Sequence, residues 1–259
     1  MTFKKLVMSG VSAAVLASSA VANVANAGEI EANVALSTDY IFRGISQTDN
    51  DPAISGGFDY SFDSGFYLGI WASNVDFGSN LETVENAAGE TVLVNETSST
   101  STEIDVYGGY AVEIADGVEL DLGYIYFVYP GDSSALNYSE FTASVTFYED
   151  LSFGLIYSPD YFGSDEDAIV FNTDYSVGIA KNLSLDLHAG YTTTDLDDAG
   201  DSILFGGSDL DDYVEWSIGL STSAAGVDLS LTYHDTDIDD SIGGEAAEDR
   251  VVFSIGKSF

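Results

Sequence analysis

The chain has 259 residues, with 26 glycines, 15 Phe, 16 Tyr, 3 prolines and no cysteine; a disulfide framework, a thiolate metal site, an iron–sulfur cluster and a cysteine nucleophile are therefore excluded. Acids outnumber bases 44 to 6, a formal charge of −38, which argues against nucleic acid because phosphate binding needs clustered Lys and Arg. A content of 45% hydrophobic and 13% aromatic residues argues against disorder.

Lys4 and Lys5 open the chain, an Ala/Val/Leu-rich run follows from Leu6 to about Ala25, and Ala25-Asn26-Ala27 forms an A-x-A pattern before Gly28. A positive start, an apolar middle and a small-residue exit make a secretory signal peptide. Ser9, Gly10, Ser12, Ser18, Ser19 and Asn23 interrupt the run and argue against a membrane anchor helix. Residues 1–27 are thus read as a cleaved leader and 28–259 as the mature domain, with 4 bases against 44 acids and a charge of −40. No later stretch is apolar over the roughly 18 residues that a spanning helix needs.

Beyond the leader the pattern has period two, the period of strands. Over 30–43, Ile30, Ala32, Val34, Leu36, Thr38, Tyr40 and Phe42 share one parity, and Glu31, Asn33, Asp39 and Arg43 lie on the other. Ile54, Phe58, Tyr60 and Phe62 oppose Gly57 and Asp59, and Phe66, Leu68 and Ile70 oppose Tyr67, Gly69 and Trp71. Next come strands around 103–113, 118–129, 140–147, 151–158 and 171–179, whose polar parity carries Glu103, Asp105, Glu113, Glu119, Asp121, Glu140 and Asp174. Leu183 to Tyr191 oppose Asp186 and His188, Val214 to Leu220 oppose Glu215, Val227 to Tyr233 oppose Asp228 and His234, and Val251, Phe253 and Ile255 end the series. Twelve strands are counted. Glycines recur on the polar parity, where a tight barrel interior tolerates them.

The connections alternate in length. Those at 63–65, 115–117, 149–150, 181–182 and 223–226 are short, and those at about 44–52, 76–101, 130–137, 158–168, 193–212 and 235–249 are long. This rhythm predicts an all-β fold: a closed antiparallel transmembrane β-barrel with short periplasmic turns and long acidic extracellular loops. A secreted β-sandwich also alternates apolar and polar residues, but its turns need no such rhythm and its edges stay open. Aromatics near strand ends (Tyr40, Phe42, Phe66, Tyr124, Tyr126, Phe147, Tyr157, Tyr191, Tyr233 and Phe253) are expected to form the interfacial girdles. Lys257 sits on the apolar parity, two residues from the end, where it can snorkel to headgroups.

The stretch NVALSTDYIFRGISQTDNDPAISGGFDY (33–60), with SGFYLGIWASNVDF (64–77) and EIDVYGGY (103–110), resembles the TorF family of candidate porins. DYIFRGISQ (39–47) and GFYLGIWASN (65–74) carry the resemblance, which thins to strand rhythm and YIYFVYPG (124–131) further on. It implies a Gram-negative outer-membrane barrel and a channel, with no particular substrate and no catalytic residues.

With the apolar parity on lipid, the other parity lines the lumen. Its candidate pore-lining residues are Asp39, Arg43, Asp59, Trp71, Glu103, Asp105, Glu119, Asp121, Glu140, Asp174, Asp186, Glu215, Asp228 and Arg250, joined by Glu31 and Glu113. A narrow wall of one sign concentrates counter-ions, so a cation-preferring pore for small hydrophilic solutes is expected. Arg43 and Arg250 lie toward the long-loop end of the strands that closure brings together. With Asp39 they form either a salt-bridged seam, the favoured reading, or a constriction that orients solutes. Tyr67, Trp71, Tyr107, Tyr129 and Tyr213 either fill the barrel, again favoured, or stack on sugar-like faces.

Asp235, Asp237, Asp239 and Asp240 are spaced as in a calcium loop, but Asp240 and Ala246 stand where an EF-hand needs Gly and Glu. No cofactor is expected. His234-Asp235 is the only pair suited to a rim protease, and both histidines, His188 and His234, lie on the lumen parity, away from where a lipase would work. An enzyme is therefore not expected. A non-conducting barrel that anchors the envelope or presents loops is the main alternative. The expected partners are outer-membrane lipids, small hydrophilic solutes or cations, and the barrel-assembly machinery during biogenesis. Monomer and trimer both fit the pattern.

Overall fold

A computed structural model describes residues 28–77, 79–85, 91–97, 100–131, 136–164, 166–194, 212–239 and 243–259. The expected leader and Asp240 lie outside them. In chain order the strands are β1 (Glu29–Ser37), β2 (Ile41–Phe42), β3 (Ile45–Ser46), β4 (Ala53–Ser61), β5 (Phe66–Asn74), β6 (Ser79–Glu85), β7 (Thr91–Thr97) and β8 (Thr102–Ala115). They continue with β9 (Val118–Val128), β10 (Tyr138–Phe147), β11 (Leu151–Ser158), β12 (Ala168–Ala180), β13 (Leu183–Thr194), β14 (Tyr213–Ala224), β15 (Val227–Thr236) and β16 (Arg250–Ser258).

Twelve of these form one closed antiparallel barrel, in which each strand pairs with its barrel neighbours along the chain and β1 pairs with β16 to complete the ring. Closure satisfies every strand edge, the condition for placing a sheet in lipid. Asn33 opposite Ser258 and Ser37 opposite Ser254 set the register of the seam. The remaining strands pair as β2–β3 and β6–β7, so the connection over 76–101 contains a hairpin beyond the wall where a plain loop was expected.

Period two settles which residues face outward. Ile30, Val34, Leu36, Phe58, Leu68, Ile70, Leu122, Phe141, Phe153, Phe171, Leu220, Leu231 and Phe253 are all exposed on the outer surface. In a soluble protein so continuous an apolar band would be an aggregation surface; on a closed barrel it is the lipid contact. Ring pairs Phe66–Tyr110 (4.8 Å), Tyr124–Phe141 (5.2 Å) and Trp216–Tyr233 (5.3 Å) couple neighbouring strands on this face. Lys257 is exposed there too, 5.0 Å from the Phe259 ring.

The first strand departs from expectation. It ends at Ser37 rather than running on to Arg43, and residues 39–48 are buried without exception. The chain turns into the barrel and forms the β2–β3 hairpin in the lumen. Arg43 (φ 49°) and Gly44 (φ 80°) are its two turn residues, both left-handed as a two-residue type I′ turn requires. A Cβ on Gly44 would lie 2.2 Å from Thr236 Cγ2, so only glycine fits against β15 there. Tyr40 and Phe42, expected in a lipid girdle, are therefore core residues of the interior.

Candidate functional site: the barrel interior

The interior has two levels. Toward the long loops it is filled. The inward hairpin supplies Tyr40, Phe42 and Ile45, and the wall supplies Trp71, Tyr107, Ile125, Phe127, Tyr138 and Tyr213. Leu136, Tyr161 and Ile238 enter from the connections after β9, β11 and β15. Phe127 stacks on Tyr138 at 4.4 Å and 7°, and Tyr40 meets Trp71 edge-on at 5.4 Å. Of the five lumen aromatics singled out from sequence, Trp71, Tyr107, Tyr129 and Tyr213 are buried here, and Tyr67 packs against them half-buried.

Charges thread this apolar filling, and all but Asp105 are held by a partner. Arg43 crosses the lumen to Glu140 on β10, with Nη1–Oε1 and Nη2–Oε2 both at 2.8 Å. The two side chains are 3% and 0% exposed, and the guanidinium lies 4.5 Å over Phe42. Arg250 takes a different acid: its Nη1 donates to Asp39 Oδ2 at 2.9 Å, joining β16 to the start of the inward segment. Ser46 Oγ and Thr48 Oγ1 donate to the other oxygen of Asp39 at 2.7 and 2.8 Å. Asp39 with Arg250 is a seam contact, whereas Arg43 belongs to a separate, trans-lumen pair. Glu103 on β8 accepts from Tyr40 Oη at 2.7 Å and from Tyr129 Oη at 2.6 Å. Asp105, two residues along, is 0% exposed.

At mid-depth, His188 on β13 bridges two strands, with Nδ1 2.7 Å from Asp174 on β12 and Nε2 2.7 Å from Glu215 on β14. Both ring nitrogens are engaged, so this imidazole braces the wall between β12 and β14. Asp235, expected beside His234 at the rim, accepts from Thr236 N at 2.9 Å and Tyr233 Oη at 3.4 Å instead.

Toward the short turns the lumen side chains are polar and mostly part-exposed. Tyr67 Oη donates to Asp121 at 2.9 Å, Tyr107 Oη to Asp59 and Ser176 Oγ to Asp186 at 2.6 Å. Glu31 and Glu119 are half-exposed on the same level. Asp228 is buried and accepts from Ser223 Oγ, and Glu113 accepts from Gly117 N at the turn, 3.2 Å away, at the rim. Glycines give the larger groups room: a Cβ on Gly69 would fall 2.4 Å from the Tyr107 ring, and one on Gly190 would fall 1.9 Å from Glu215 Oε1. Among the described residues no cluster of His, Cys, Asp and Glu is arranged to hold a metal ion.

The sequence reading favoured filling by the lumen aromatics but missed the inward hairpin that completes it. Its signal lay in Tyr40-Ile41-Phe42, a segment apolar on both parities and buried on both faces.

A closed sheet of twelve strands, greasy outside and acid-bearing inside, defines a porin-like barrel of the kind that spans outer membranes. The chain belongs to the bacterial family described as "bacterial protein of unknown function (Gcw_chp)", whose model matches residues 21–259. That description, and not the TorF name, is what the match carries. Comparison with curated proteins finds no match. Among solved structures, the KdgM porin is similar at a TM-score of 0.50 and 11% identity, over 88% of this chain and 98% of that one. The NanC porin (TM-score 0.48, 10% identity, 88% and 98% covered) and an outer-membrane channel from Pseudomonas putida F1 (0.46, 9%, 90% and 96%) are also similar.

Proposed function

We propose that this barrel is an outer-membrane channel for passive diffusion of small hydrophilic solutes, biased toward cations, and that the conformation described is its occluded state. The observation that carries the reading is the sign of the lumen wall: Glu31, Asp59, Asp121, Asp174 and Asp186 are part-exposed on the interior, while Arg43 and Arg250 are each engaged by an acid. A wall of one sign in a confined space raises the local cation concentration and repels anions. The likeness to solved porins supports the barrel; the charge supports the bias. No step here calls for an enzyme or a cofactor.

The filled outer level favours a second reading, a barrel that never conducts and serves the envelope or presents its loops. Planar-bilayer recording separates them. The channel reading expects discrete currents whose reversal potential in a KCl gradient lies toward that of K⁺. Equal K⁺ and Cl⁻ permeability would refute the bias, and silence at every voltage would leave the structural role.

A further inference from the structure

Asp105 has no visible reason to be tolerated where it is. It is 0% exposed on the lumen face of β8, and neither carboxylate oxygen has a hydrogen-bond partner among the described residues. Its neighbours across the sheet are Trp71 and Phe127, both buried. Glu103 and Glu140, the acids nearest in charge, are satisfied by Tyr40, Tyr129 and Arg43. A buried carboxylate without donor or counter-charge is strongly unfavourable.

The chain cannot supply the missing charge. Past residue 27 it has four Lys and Arg side chains: Arg43, Lys181, Arg250 and Lys257. Arg43 is bound to Glu140 and Arg250 to Asp39. Lys181 sits in the short turn between β12 and β13, and Lys257 faces outward. His188 is held between Asp174 and Glu215, and His234 is on β15, across the ring from β8. The compensating positive charge comes from solution, as a proton or as a metal cation that keeps the carboxylate ionised.

We propose that Asp105 binds one alkali cation, Na⁺ or K⁺, within the occluded barrel, beside the inward hairpin. A divalent ion would call for several carboxylates in one shell, and no such grouping exists among the described residues. A single alkali ion needs one formal charge and completes its shell with hydroxyl, carbonyl or water oxygens. The site does not depend on conduction, since a silent barrel would need the same counter-ion.

The test is the melting temperature of the detergent-folded barrel in KCl or NaCl against choline chloride at equal ionic strength. At saturating alkali ion the wild type should melt higher by on the order of 5 °C, and Asp105→Asn should lose that increment. An increment that survives in Asp105→Asn overturns the proposal, as does a wild type blind to cation identity. The latter, with Asp105→Asn as stable as wild type, would mean that the occupant is a proton. Should Asp105→Asn fail to fold, the wild type alone decides. After gel filtration in choline chloride, which screens the surface acids, it should retain one radiolabelled Rb⁺ per chain, and retention of none refutes the site.

Discussion

Removing Arg43 should loosen the inward hairpin more than any other single side-chain deletion. Its partner Glu140 is 0% exposed, and the two meet through parallel contacts of 2.8 Å. Breaking a buried pair from one side strands the other charge, at a cost of about 3–5 kcal/mol. The ring contacts of the guanidinium, 4.5 Å to Phe42 and 5.6 Å to Tyr161, add roughly 1 kcal/mol. Arg43→Ala and Glu140→Ala should each destabilise the barrel by about 4 kcal/mol, but the double variant strands neither charge and should fall well short of the sum. The assay is urea unfolding in lipid vesicles followed by tryptophan fluorescence, because Trp71 lies 5.4 Å from Tyr40 and senses its departure. Single losses below about 1 kcal/mol with no coupling would refute the reasoning, since that is the behaviour of an ion pair in water.

Two further perturbations probe the wall. In Gly190→Ala the new Cβ would meet Glu215 Oε1 at 1.9 Å, so Glu215 must turn away from His188; a loss of about 1–3 kcal/mol and a changed His188 imidazole nitrogen signal are expected, and an unchanged signal would refute the contact. Leu122→Arg puts a charge on the outward face of β9 and should cost about 2–4 kcal/mol in a bilayer; no cost would mean that this face does not meet lipid.

The barrel was legible because its physics is local. Period-two alternation and the length of each connection fix the facing of every strand, and the short turns at 116–117, 149–150, 181–182 and 225–226 fall where the sequence places them. The hairpin was not legible by the same rule, because Asp39, Arg43 and Gln47 continue a polar parity after the chain has left the wall. What decides their position is long-range: Glu140 waits 97 residues away, and Arg250 is 211 residues from Asp39. Ile41 on the polar parity, beside a Gly able to take a left-handed turn, was the local mark of a segment buried on both faces. Parity puts the acids of each strand on one face, yet it cannot say which of them receive a partner, since that depends on which strands closure makes neighbours.

Withdrawal of the inward segment would change the charge of the outer level asymmetrically. Asp39 and Arg43 would leave together, one of each sign, while Glu103, Asp105 and Glu140 stay on β8 and β10, the two strands that flank β9. That wall would lose its only base, and Arg250 would remain behind on β16, toward the opposite side of the ring. The net charge of the mouth is then unchanged, but its β8–β10 side becomes more acidic; on the channel reading the hairpin would set how much current flows and that wall which ion carries it. Arg43→Ala should accordingly raise conductance or open probability in a planar bilayer by several-fold while keeping the K⁺ over Cl⁻ preference, because it frees the segment and removes a positive charge from the path. A variant that conducts more but loses its preference would show that selectivity resides in the hairpin and not in the acids of the wall.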